Sequence, residues 1–388
     1  MKIKQSIKLI SLLLVLMISM SLLAGCTSAT ATTAPASETV KDTKPYKFAL
    51  VAPMTGNNAQ YGLAYKNTLE IFVEKVNKEG GINGAQVELQ VYDDKADPKE
   101  TVNAASLIVS DPDILGVVGS QTSGCSMAAA PVFEKAGVTM ISPQASHVDF
   151  TKGFYIFRTQ IPQSLEAPFY ADLVVTTLGF KNIGIMYEND DWGNNVLAYF
   201  ERRAGVLGAK IVAKETFLPN QTKDFTPIIS KVKAANPDVL YLISLYADAA
   251  LILTQAKGLD LNVPVVGNNT MAKQEFLDIA GPAAEGMYYL DFLVQNNQDP
   301  EFLALKAAYE SKTGKKIDVY VTQSYDALGL LINAAKAVGR DKAAIRDYIA
   351  RTKDYRGVSG VFSFDEVGDP ARVMFVYKVD GGKFVQVK

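Results

Sequence analysis

From residue 46 onward the chain alternates short β-branched, apolar runs with stretches whose apolar residues recur every three or four positions. The first run, Tyr46–Ala52, reads as a buried strand ending at Pro53. Tyr61, Ala64, Tyr65, Leu69, Phe72, Val73 and Val76 then follow at helical spacing, closed by Gly80-Gly81. Val87–Tyr92 predicts a second strand. Asp97-Pro98-Lys99-Glu100 predicts a capping box that opens the next helix, with Asp97 as N-cap and Pro98 in the first turn. Leu115–Val118 and Val138–Ile141 are further strands, with a helix over about residues 126–136 between them.

The alternation restarts after Gln160-Ile161-Pro162. Helices are expected near residues 164–178, 192–207, 226–235 and 248–257, and strands at 183–187, 210–216, 239–243 and 263–266. After Glu285–Leu290 come helices near 300–313, 320–338 and 342–351. The chain then ends in strands at 361–364 and 373–378, the last leading into Asp380-Gly381-Gly382. Strand, helix and strand in repetition predicts parallel sheets covered on both faces. The fold class expected is α/β, with two doubly wound Rossmann-like lobes. Such lobes hold ligands at the carboxyl ends of their strands, so two facing lobes would share a cleft that closes by hinge motion.

The N-terminus has a different pattern. A basic MKIKQSIK precedes an apolar run, Leu9–Leu23, of secretory-signal length but short for a membrane span. Leu23-Ala24-Gly25-Cys26 matches a bacterial lipobox, which predicts cleavage before Cys26 and lipidation of its thiol. Residues 27–44 are rich in Ser, Thr, Ala and Pro and read as a flexible tether. The expected division is therefore signal peptide 1–25 and tether 26–45. Lobe one would comprise 46–161 with 287–351, and lobe two 162–286 with 352–388.

Composition adds exclusions. The 388 residues carry 39 basic and 41 acidic side chains. Without the three lysines of the signal, the mature chain is near −5, with no basic stretch for nucleic acid. The only cysteines are Cys26 and Cys125, so a lipidated Cys26 leaves Cys125 without a disulfide partner. One histidine, His147, and the absence of a nucleophile elbow, a P-loop or a dinucleotide fingerprint argue against catalysis and against a bound metal or cofactor.

Seven segments, in order, carry a resemblance. They are VAPMTGNNAQYG (Val51–Gly62), NKEGGING (Asn77–Gly84), YDDKADP (Tyr92–Pro98), VVGSQTSG (Val117–Gly124), MISPQAS (Met140–Ser146), DDWG (Asp190–Gly193) and AAEGM (Ala283–Met287). Over nearly all of Tyr46–Lys388 the chain resembles the branched-chain amino-acid-type (leucine-binding-like, type I) periplasmic solute-binding proteins of ABC importers. The resemblance implies two lobes joined by three hinge crossings, closing over a small molecule. It further implies a monomer that delivers its ligand to an ABC permease from outside the cytoplasm, held there by the lipid on Cys26.

In that family a serine after the third strand and the S-P-x-A-[ST] loop grip the ligand carboxylate through hydroxyls and backbone amides. The matching residues are Ser123, Gln144, Ala145 and Ser146, for which helix capping is the alternative role. Tyr61, Trp192, Tyr246 and Tyr320 match the family's aromatic wall. A second-lobe carboxylate that would hold an ammonium is replaced by Asn269, so Asp248 or Asp191 would have to substitute for it, or the ligand is an amide or organic acid. A ligand-sensing receptor subunit built on the same cleft is the alternative function.

Overall fold

A computed structural model describes residues 44–293 and 297–387; Cys26, the apolar run before it and most of the tether lie outside them. The first half opens with β1 (Tyr46–Ala52), α1 (Ala59–Lys78), β2 (Val87–Asp93), α2 (Pro98–Ser110) and β3 (Ile114–Gly119). It continues with α3 (Ser123–Ala136), β4 (Thr139–Ser142) and β5 (Ile156–Arg158). The strands run β2-β1-β3-β4-β5, and every neighbouring pair is parallel. β1, β3 and β4 are almost wholly buried, because helices cover both faces. The periodic residues of α1 are its buried stripe, with Tyr61, Tyr65, Leu69, Phe72 and Val76 all facing inward.

The second half follows with α4 (Gln163–Asp172), which runs into a π turn at Leu173–Thr177. Then come β6 (Asn182–Glu188), α5 (Asp191–Val206), β7 (Lys210–Phe217), α6 (Thr226–Ala234) and β8 (Val239–Ile243). It is completed by α7 (Tyr246–Gly258), β9 (Val265–Gly267), α8 (Gln274–Ala280) and β10 (Tyr288–Asp291). The chain then returns to the first half with α9 (Pro300–Thr313), α10 (Val319–Val338) and α11 (Lys342–Ala350). α10 packs on α1, β3 and β4, and it is buried along nearly its whole length, its polar Thr322, Gln323, Ser324 and Asp326 included.

A small antiparallel hairpin, β11 (Tyr355–Gly357) and β12 (Gly360–Phe362), precedes β13 (Phe375–Asp380) and β14 (Lys383–Gln386). The second sheet is seven-stranded, β14-β13-β10-β9-β8-β6-β7. It is parallel except where β13 pairs antiparallel with β10 and β14. The chain thus passes between the two sheets three times: after β5, after β10 and after β12.

Several boundaries differ from the sequence expectation. β10 belongs to the second sheet, so the return to the first half comes after residue 291 rather than at 287. The β11–β12 hairpin, expected in lobe two, lies against the first half: Asp326 of α10 accepts the N–H groups of Val358 and Ser359, at 2.8 and 3.0 Å. β5, α8, β11 and β14 were not anticipated. The capping box is half formed. Asp97 accepts from the N–H groups of Lys99 and Glu100, but its own N–H donates to the Asp94 carbonyl instead of to Glu100.

Candidate functional site

Where β3, β4, β6, β8 and β9 end, the two halves enclose a cavity of about 430 Å³, its mouth included. This is the crevice beyond the carboxyl ends of the strands. The first half and the crossing that leaves it line the cavity with Gln121, Thr122, Ser123, Gln144, Ser146 and Gln160. Glu166, Glu188, Asp190, Trp192, Leu245 and Asn269 face them from the second half, with Thr270 beside Asn269.

The first wall is built by one tight turn. Gly119 has φ 131°, and a Cβ there would lie 1.9 Å from the Val51 carbonyl oxygen, so only glycine lets β3 turn this close to β1. Thr122 then caps α3 by accepting from the Cys125 N–H at 3.3 Å, which starts the helix at Ser123, a turn earlier than the pattern indicated. Ser123 is therefore inside the first turn, and no helix begins at Ser146, so neither serine is a cap.

Ser123 Oγ instead accepts from the N–H groups of Ser146 and His147, both at 3.2 Å, and pins the facing loop. Ser142 Oγ does the same for Gln144 (3.3 Å) and Ala145 (2.9 Å). The loop amides that the family resemblance assigned to a ligand carboxylate are thus bonded within the protein. The donors left for an anion are the Ser123 and Ser146 hydroxyls and the first amides of α3, which cannot bond inside their own helix. Ser146 Oγ also accepts from Gln163 Nε2 at 2.7 Å, at the first crossing.

Beneath the loop lies Arg158, with no exposed side-chain surface. Its Nη1 donates to the carbonyls of Ala145 (3.2 Å) and His147 (2.8 Å), while its Nε pairs with Asp369 Oδ1 at 2.5 Å. The loop therefore rests on an ion pair whose acid comes from the third crossing.

The second wall has a comparable origin. Asp190 caps α5 through the Gly193 N–H at 2.7 Å, and a Cβ on Gly193 would lie 2.1 Å from the Glu188 carbonyl oxygen. The DDWG segment is thus a close strand-to-helix turn that brings Glu188, Asp190 and Trp192 to the cavity together. Glu188 Oε1 accepts from the Leu245 N–H at 2.6 Å and lies 3.1 Å from the Ser244 hydroxyl. Its Oε2 is buried without a hydrogen bond, as is Nδ2 of Asn269. Burial pushes Glu166 up to about 8 and Asp190 up to about 6. Burial, reinforced by the neighbouring Asp190, raises Glu188 well above the carboxylate range.

Of the nine ligand-site residues expected from sequence, the cavity gathers Ser123, Gln144, Ser146, Trp192 and Asn269. Ala145 is buried behind the loop, and Tyr61, Tyr246 and Tyr320 lie one layer back. The tyrosines pack on one another, with Tyr61 4.6 Å from Tyr320 and 5.4 Å from Tyr246 between ring centres. Tyr246 is the first residue of α7 rather than part of a loop.

Neither suggested acid reaches the cavity. Asp248 accepts from the Asn220 N–H at 2.6 Å, and Asp191 is exposed at the start of α5. Glu166, Glu188 and Asp190 stand there in their place. For Glu188 a signal existed, since it ends a strand on the cleft side; Glu166, inside a helix, gave none.

The tyrosine layer also joins the halves. The Tyr61 hydroxyl donates to the Thr270 carbonyl and accepts from the Tyr246 N–H, both at 3.2 Å. Lys273, which follows β9, pairs with Asp318 at the start of α10 at 2.6 Å, its Nζ lying 4.7 Å from the Tyr320 ring centre. Tyr61→Phe removes both hydroxyl bonds and leaves a buried donor and acceptor unmet only when the halves are together. It should weaken ligand affinity by about 1–3 kcal/mol, roughly 5- to 150-fold, with little loss of fold stability. Calorimetric titration beside a denaturation curve checks this; equal affinities would show that Tyr61 does not hold the halves together.

Among the described residues no three His, Cys, Asp or Glu side chains converge to hold a metal. His147 is half-buried, pushed below its ordinary value by burial, and its Nδ1 accepts from the Asp149 N–H. The Cys125 thiol is buried and pushed up to about 11, which suits packing rather than reactivity.

The leucine-, isoleucine-, valine-, threonine- and alanine-binding protein of Pseudomonas aeruginosa is 31% identical, over 83% of this chain and 86% of its own. The branched-chain amino acid transporter substrate-binding protein LivJ of Streptococcus pneumoniae, solved in complex with isoleucine, superimposes with a TM-score of 0.82. It shares 27% identity, over 89% of this chain and all of that one. The leucine-binding protein LivK of Thermotoga maritima has the same fold, with a TM-score of 0.83 at 24% identity, over 88% of this chain and 97% of its own. The family described as periplasmic binding protein, whose members bind substrates rather than transform them, matches residues 45–383; this chain belongs to it.

Proposed function

We propose that this chain is the solute-binding lipoprotein of an ABC importer, capturing a small carboxylate-bearing molecule between its halves and presenting it to a membrane permease. The observation that carries this reading is the cavity itself, with hydroxyl and helix-start donors on one wall and aromatic and acidic groups on the other. A carboxylate meeting Ser123, Ser146 and the first amides of α3 would find charge-assisted bonds without needing a cation. Closure then follows from contacts that exist only when both walls touch the same guest. The relatives' association with amino acids and ABC transport supports the assignment, as does the extracytoplasmic location that the family implies. Lipidation at Cys26 rests on the lipobox pattern alone, and metabolic labelling with a fatty acid, lost on Cys26→Ala, would test it.

The carboxylate site is tested at Ser123. Ser123→Ala removes a donor to the ligand and also frees the N–H groups of Ser146 and His147 from their acceptor. It should cost about 1.5–3 kcal/mol in affinity, roughly 10- to 150-fold, and more than Ser146→Ala does. Titration of a panel of amino acids, amides and aromatic acids into the wild type and both variants reads this. Unchanged affinity in Ser123→Ala would remove the carboxylate from this wall.

A further inference from the structure

We propose that the solute is an amino acid with a polar side chain, whose ammonium is held by Glu188 and whose side-chain acceptor is met by Asn269. The proposal rests on the solute-binding reading above and narrows it to a substrate class.

The cavity's unmet polar atoms define the guest. Glu188 is 1% exposed and already fixed, since the Leu245 N–H holds one oxygen and leaves the other directed at no protein donor. A buried carboxylate oxygen without a donor is costly, and no lysine or arginine lines the cavity to supply one. A positively charged nitrogen on the guest supplies the missing donor and the opposite charge that draws Glu188, held protonated by burial in the empty cavity, into its ionised form. Asp190 lines the same wall and adds to its negative potential, while Glu166, pushed up to about 8, keeps its proton at neutral pH. Glu166 is the better satisfied, accepting from Gln163 Nε2 at 2.6 Å and lying 3.4 Å from Gln160 Nε2. Asp190 is committed to its cap. Glu188 is therefore the acid with capacity to spare.

Asn269 has the opposite need: its Nδ2 is a buried donor without an acceptor. Gln121 adds an unmet acceptor, Oε1, on the first wall. A hydrocarbon side chain would find apolar surface in the lining, Trp192 and Leu245 included, but would leave both of these polar atoms unpaired. A side-chain carbonyl or hydroxyl meets Asn269, and an amide N–H or a hydroxyl can meet Gln121 as well. The carboxylate remains on Ser123 and Ser146, so the three functional groups of a polar amino acid each find a counterpart.

The test is calorimetric titration of the purified protein with L-glutamine, L-threonine, L-leucine, and glutaramate, which is glutamine without its ammonium. Expected is at least tenfold tighter binding of glutamine or threonine than of leucine, with glutaramate weaker than glutamine by at least 30-fold. Glu188→Gln keeps an oxygen for the Leu245 N–H, so it preserves the wall, and its thermal midpoint is measured alongside. It should lose at least 30-fold for the preferred amino acid while binding glutaramate as the wild type does. Asn269→Ala should erase the preference over leucine.

Leucine bound as tightly as either polar amino acid, or Glu188→Gln binding like the wild type, overturns the proposal and leaves the carrier assignment standing. Binding of glutaramate equal to that of glutamine also overturns it, since the ammonium then has no role. Failure of all four to bind the wild type overturns this proposal and leaves the carboxylate site to be decided by the aromatic acids of the wider panel.

Discussion

Replacing Asp369 by Ala lowers the free energy of unfolding by about 3–5 kcal/mol and weakens ligand binding as well. The stability loss follows from Arg158. Its side chain is wholly buried, and removal of its acid leaves a guanidinium with no counter-charge. Burial already pulls Arg158 below its ordinary value, and the charge and hydrogen bond of Asp369 oppose that shift. The same Asp369 oxygen accepts from Thr151 Oγ1 at 2.7 Å, and Thr151 in turn accepts from Arg158 Nη2 at 2.9 Å, so Arg158 and Thr151, themselves bonded, lose their shared acceptor together.

Binding suffers because Arg158 holds the carbonyls of Ala145 and His147, and with them the orientation of Ser146. Denaturant unfolding of the ligand-free protein measures the first effect and titration the second. The double variant Arg158→Met/Asp369→Leu should regain much of the stability, since an apolar pair replaces an ionic one, without regaining affinity. A loss below 1 kcal/mol in Asp369→Ala would show that the pair is dispensable to the fold.

The second large effect is on pH. Burial raises Glu166 to about 8, Asp291 to about 7, and Asp190 and Asp326 to about 6. In the unfolded chain such groups ionise near 4. Between about pH 4 and these raised values the fold holds protons that the unfolded chain has lost. Stability is therefore greatest at the acidic end and falls as pH rises through the folded values, by up to about 1.4 kcal/mol per pH unit for each group still protonated.

Asp93, Glu275 and Glu301 have the opposite sense. Hydrogen bonds from Thr55 hold Asp93 low, and bonds from Lys315 and Lys75 hold Glu275 and Glu301 low, each against a burial effect that pushes upward. Their stabilisation is lost as pH falls through those lowered values. The ligand-free protein should thus be most stable near pH 5 and lose several kcal/mol by pH 8, as read by denaturation curves at pH 5, 6.5 and 8. Glu166→Gln should flatten the upper part of that decline. A stability unchanged from pH 5 to 8 would mean that these carboxyls ionise at ordinary values.

The alternation of strands and helices was legible because most elements are long and repeat one pattern: β1 and β8 occupy the residues expected, and α9 does as well. What the pattern missed was short or dependent on distant partners. β5 has three residues and ends in Arg158, which a sequence reading takes as a surface residue; its burial depends on Asp369, 211 positions away. β11 is equally short, and the turn that joins it to the expected β12 is held by Asp326 of α10.

The candidate site was legible where a turn brings several residues together, as at Gly119–Ser123 and Asp190–Gly193. It was not legible at Glu166, whose place at the cavity is set by the crossing that positions α4. Nor could spacing show that the loop amides after β4 are already taken by Ser123 and Ser142, because that depends on hydroxyls from neighbouring strand ends.

The three passages between the sheets also govern how the polypeptide can acquire its shape. α9 to α11, which cover the first sheet, are translated only after β6 to β10 of the second, and β13 comes later still, inside the last fourteen positions. Neither core can be finished by an emerging N-terminal portion: the first half waits for α9 to α11 and for Asp369, the second for β13 and β14. Removal of everything after β10 should accordingly abolish both halves rather than spare one.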